Sequence, residues 1–113
     1  MSDRYNFIEI EKFTGNDAFA LKDMIGIFLK SVPETLAEIN KSYKENDHEK
    51  FRYYSHKLKS SIDLLSIWEQ KAEIRVLENC SLGDFHSPKI GKLVRDLNRT
   101  LDELLPEIEK TIK

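Results

Sequence analysis

The sequence predicts an all-α fold: an antiparallel four-helix bundle with a short N-terminal helical or extended segment. Three observations predict it. Apolar residues recur at steps of three and four along nearly the whole chain. No segment alternates with the period of a strand between turn signals. Only 4 Gly and 3 Pro interrupt 113 residues, of which 34% are charged, a profile that suits helices with solvated outer faces. The length argues for a single domain over residues 1–113, and a 40% hydrophobic content is enough for one core.

The elements follow in order. Residues 7–12, Phe7 to Lys12, form a short apolar lead-in whose pattern fits a helical turn or an extended piece. Thr14 to Asp17 reads as a turn with Asn16 or Asp17 as N-cap. Leu21, Ile25, Phe28, Val32, Leu36, Ile39 and Tyr43 then line one helix face over about 17–45. Pro33 lies inside that stretch and predicts a kink or a break, and Ser31 with Glu34 resembles a capping box for a restart. The stripe keeps its phase across Pro33, which favours one bent helix. Asp47 is the next N-cap, before a third helix over 48–66 with Phe51, Tyr54, Leu58, Ile62 and Leu65 inward. A fourth helix over 67–81 uses Ile67, Ile74, Leu77 and Cys80, with Trp68 as a core or junction aromatic. After a loop over 81–87, Ser87-Pro88 supplies N-cap and first-turn proline. The last helix carries Ile90, Leu93, Leu97, Leu101, Leu104, Ile108 and Ile112, its stripe continuing past Pro106.

Composition excludes several function classes. The single cysteine, Cys80, permits no intrachain disulfide and suits a reducing cytoplasm. The net charge of −2 argues against a nucleic-acid partner. The longest apolar run, Met24 to Leu29, is too short for a membrane span, and no secretory leader is visible at the start. A Gly-rich phosphate loop is absent, so ATP binding and autonomous kinase activity are not supported.

One residue looks out of place. With Leu58 at the centre of the buried face of helix three, His56 lies about 160° away at mid-helix, on the solvent side. Glu49, Arg52, Lys59, Ser60, Asp63 and Ile67 share that side. Lys59 is one turn further on, the spacing at which helical side chains meet. An exposed imidazole beside an ammonium and a small neighbour can handle a phosphoryl group.

The heptapeptide Ser55-His56-Lys57-Leu58-Lys59-Ser60-Ser61 resembles the signature of histidine-containing phosphotransfer (HPt) domains, usually Ala-His-x-Leu-Lys-Gly-Ser. Ile62 to Ile67 looks like the family's continuation, Phe28 to Leu36 like its preceding helix with an interior proline, and Leu77-Glu78 like a frequent pair on the next helix. The resemblance covers about residues 15–80. It implies a four-helix bundle that carries a phosphoryl group on His56 and relays it between receiver-domain aspartates. In that role the protein is a phosphocarrier rather than an autonomous enzyme. Lys59 would neutralise phosphate charge, and Glu78 would orient the imidazole through Nδ1–H, leaving Nε2 as nucleophile. The implied partners are response-regulator receiver domains and a hybrid sensor histidine kinase. No cofactor or metal binds the chain itself, Mg²⁺ being expected on the receiver, and a cytoplasmic monomer is the default. Ser60, Asp63, Arg52, Met24, Ile27, Ile8 and Phe13 are the candidates for receiver docking. Two departures stand out: Ser60 and Ser66 occupy positions where the family has glycine.

The alternative is a non-phosphorylated helical interaction module that binds or sequesters a receiver, as a helical adaptor or a degenerate HPt domain; the retained His56 argues against the degenerate form. His48 with Glu45 and Glu49 has helical spacing for a surface metal site but lacks a third strong ligand type. Cys80 reads as a structural thiol, and His86 as an inert loop residue.

Overall fold

The computed structural model describes residues 4–112, except for the side chain of Trp68, whose reading as a core or junction aromatic therefore lies outside the described residues. The described residues form five α-helices and no strand: α1 (Ile8–Thr14), α2 (Ala18–Lys44), α3 (His48–Leu64), α4 (Trp68–Glu78) and α5 (Pro88–Ile112), with a 3₁₀ turn at Asp84–His86 before α5. None of these helices is long and apolar enough to cross a membrane.

The lead-in is helical. Tyr5, Phe7 and Ile10 point into the core, and the chain before α1 is strapped down at both ends. The Asn6 N–H donates to the Leu65 carbonyl at 3.1 Å, and the Tyr5 hydroxyl pairs with Thr111 Oγ1 at 2.7 Å. Gly15, at φ 61°, ends α1, a conformation that costs glycine little.

Asp17 caps α2: its carboxylate accepts from the N–H groups of Phe19 and Ala20 at 3.0 and 3.1 Å. The helix then runs through Pro33 without a break, and the Ser31–Glu34 pair lies inside it rather than starting a new helix. The physical reason is the position of the ring. Pro33 sits on the solvent side, so water can satisfy the carbonyl that loses its donor while Ile25, Val32, Leu36 and Ile39 stay buried. Pro106 is likewise exposed inside α5.

Helices α2 and α3 end in the same motif. Asn46 and Ser66 adopt left-handed φ values of 59° and 53°. The next residue reaches back each time, Asp47 N–H to the Ser42 carbonyl at 2.8 Å and Ile67 N–H to the Ile62 carbonyl at 3.0 Å. These are paired-bond C-caps that satisfy the last carbonyls. The cap at Ser66 stops α3 two residues short of the expected 66 and turns Ile67 inward, fully buried, as the residue before α4. Ile67 therefore does not belong to the exposed face of α3. Helix α4 likewise ends at Glu78, short of the expected 81, and Cys80 is buried just beyond it.

Helix α3 packs against both α2 and α4, α5 also contacts both of these, and α1 lies on α2. Ile25, Ile39, Leu58, Ile62, Ile74, Leu77, Leu97 and Leu101 meet in one core. Each such side chain contributes about 1.5–3 kcal/mol when taken fully out of water. At one end Phe85 from the 3₁₀ turn fills the space beside Tyr43, His48 and Phe51, with ring centroids 5.0–5.6 Å away. Flanked on two sides and anchored by Phe51, Ser55, Leu58 and Ile62, the middle of α3 is a rigid platform.

Candidate functional site

Ser55 and Leu58 are fully buried, so the helical repeat turns His56 outward between them. Its side chain is 64% exposed. The ring leans on α4, where His56 Nδ1 is hydrogen-bonded to Glu78 Oε1. Glu78 is the last residue of α4 and only 15% exposed. Lys59 reaches the same carboxylate, with Nζ 3.0 Å from Oε2 and 3.3 Å from Oε1. Arg52, one turn before His56, donates from Nε to the main-chain carbonyl of Glu78 at 2.9 Å. Three side chains of α3 therefore converge on one residue of α4.

The hydrogen bond from His56 holds the Glu78 carboxyl below the usual carboxylate range; partial burial opposes this, and the Lys59 ammonium adds to the lowering. An ionised carboxylate can only accept hydrogen bonds, so Nδ1 is the ring nitrogen that carries the proton. In the neutral ring the lone pair is then on Nε2. Nε2 makes no hydrogen bond among the described residues. The arrangement is an exposed imidazole with its tautomer and direction set from behind.

The remaining candidates are distributed unevenly. Ser60 is exposed one turn beyond His56, and Asp63 is half-exposed at the mouth of an open cleft of about 420 Å³ shared with Asn6, Ile8, Glu9, Leu64, Ser66 and Lys71. Ile8, Phe13 and Ile27 are open to solvent, at 60%, 73% and 65%. Met24 is half-buried against the core and offers only part of its side chain. Phe19, which the sequence reading passed over, is the most exposed large apolar side chain among the described residues. It falls off the core stripe by helical phase, a signal that was present.

His48 is tied inward: Nε2 lies 2.7 Å from the Cys80 carbonyl oxygen and the ring packs on Phe85. Among the described residues no group of three or more His, Cys, Asp and Glu is arranged to hold a metal ion. Burial pushes the Cys80 thiol up, away from the reactive thiolate. The His86 ring lies tilted against Phe85 in the 3₁₀ turn. The convergence of Arg52 and Lys59 on Glu78 was not visible in sequence, because it depends on how α3 crosses α4.

No family model matches the chain, and no characterised protein and no solved structure matches it.

Proposed function

We propose that this chain is a histidine phosphotransfer protein that relays a phosphoryl group through His56 between receiver-domain aspartates. On this reading the four long helices form an antiparallel HPt-like bundle, and the partners are response-regulator receivers and a hybrid sensor kinase in the cytoplasm. The observation that carries the reading is the exposed His56 ring, tied at Nδ1 to Glu78 and, among the described residues, without a hydrogen-bond partner at Nε2.

The chemistry follows from the parts. The Nε2 lone pair attacks the phosphorus of an aspartyl phosphate in line with the departing carboxylate. The Nε2–P bond forms, the O–P bond breaks, and the aspartate leaves with the electron pair. The Nδ1 proton stays in place, and the Glu78 carboxylate stabilises the positive charge that develops on the ring. Mg²⁺ and the aspartyl phosphate come with the receiver. This chain supplies the nucleophile, nearby cations and a face for docking.

The test is transfer from a phosphorylated receiver with Mg²⁺ to the purified protein, beside His56→Gln. The expected result is an acid-labile, base-stable phosphate on the wild type and none on the variant. Tight receiver binding without transfer would replace the relay with a sequestering module, and neither binding nor transfer would leave only the helical bundle.

A further inference from the structure

Resting on that phosphorelay reading, we infer that Arg52, rather than Lys59 alone, is the cation that receives the phosphoryl group on His56 Nε2. Charge pairing points this way. The Lys59 ammonium is already matched by the Glu78 carboxylate, at 3.0 Å from one oxygen and 3.3 Å from the other. Arg52 commits only Nε, to a neutral carbonyl. Its two Nη groups make no hydrogen bond or ion pair among the described residues. Glu49, which shares the exposed side of α3, is not paired with it.

Position points the same way. Arg52 and His56 are one turn apart, the spacing that brings side chains together. The common lean of helical side chains toward the N-terminus preserves that one-turn spacing, so Arg52 flanks the His56 ring on its N-terminal side and Lys59 on its C-terminal side. Glu78 anchors both partners, the guanidinium through its main chain and the imidazole through its carboxylate. A guanidinium fixed at Nε presents its Nη donors as a fork suited to phosphoryl oxygens. When the Nε2–P bond forms and the aspartyl O–P bond breaks, those donors meet the transferred oxygens without any change in proton count.

The test is the equilibrium constant for transfer between a phosphorylated receiver and the protein, measured for wild type, Arg52→Gln and Arg52→Lys at low salt. Arg52→Gln is expected to shift the equilibrium about tenfold toward the phosphorylated receiver, the size of one charge-assisted hydrogen bond at a solvent-exposed site, with Arg52→Lys recovering part of the shift. Gln can still donate to the Glu78 carbonyl, so under a purely structural role Arg52→Gln would leave the transfer equilibrium at its wild-type value, whatever happens to the unfolding midpoint. A role in docking would weaken receiver affinity and leave the equilibrium constant unchanged. Either of those outcomes overturns the inference alone. Absence of phosphoryl transfer to the wild type would overturn the phosphorelay reading together with it.

Discussion

Replacing Glu78 by alanine removes the group on which the site converges. The side chain of Glu78 is largely covered, and it accepts the Nδ1 hydrogen bond of His56 and both contacts from Lys59. A hydrogen bond to a charged group is worth about 1.5–3 kcal/mol, and the exposure of His56 places this one at the lower end. Losing about 1.4 kcal/mol of preference for the correctly oriented Nδ1–H ring is a tenfold loss of the competent form. Glu78→Ala should therefore accept phosphoryl groups about ten times more slowly under conditions that saturate receiver binding. Glu78→Gln keeps an acceptor oxygen but gives up the charge, and should lose only a few-fold. The assay is rapid-mixing transfer from a phosphorylated receiver, with circular dichroism to confirm the fold. Glu78→Ala transferring at the wild-type rate would refute the claim that Glu78 orients the nucleophile.

Three further outcomes are expected. Ser66→Gly should stabilise the protein by about 0.5–1 kcal/mol in urea unfolding, because a left-handed non-glycine residue costs about 1–2 kcal/mol and glycine returns part of that gain as entropy. Ser66→Ala, which keeps the strain, should give no such gain. Phe85→Ala should cost about 3–5 kcal/mol in the same assay, because the ring is fully buried among Tyr43, His48 and Phe51. The folded-state pKa of Glu78 is depressed, so its contribution to stability is complete above the ordinary value of 4.5 and is lost as pH falls through the depressed value. The stability difference between wild type and Glu78→Gln should shrink as pH is lowered below that ordinary value, read by urea titrations; a difference that did not shrink there would contradict the His56 and Lys59 contacts.

Much of the fold was legible because amphipathic helices announce themselves locally. The stripe from Leu21 to Tyr43, the Asp17 and Asp47 caps and the Ser87-Pro88 start all lie in short windows of sequence. What escaped depended on context. At Pro33 the in-phase stripe already favours one helix, and only the solvent-facing position of the ring, which explains why the helix runs through, needs the structure. Serine is not the residue that a left-handed cap prefers, so the end of α3 is set two residues late by the sequence, and Ile67, rightly inward as the lead into α4, falls also on the exposed side of α3. At the site, the outward direction of His56 follows from helical phase against Leu58. The Glu78 contacts of Lys59 and Arg52 do not follow from phase, because they are set by the crossing of α3 and α4. The inward hydrogen bond of His48 to the Cys80 carbonyl escaped for the same reason: it joins residues 32 positions apart.

The most direct measurement is the position of the phosphoryl group on the ring. Protein phosphorylated by a receiver, with its histidines labelled with ¹⁵N, would be analysed by nitrogen–phosphorus correlation NMR. A single coupling to His56 Nε2, with Nδ1 still protonated, is the predicted result. A phosphoryl group on Nδ1, or on a residue other than His56, would contradict the account, because the Glu78 hydrogen bond would then not determine which nitrogen attacks.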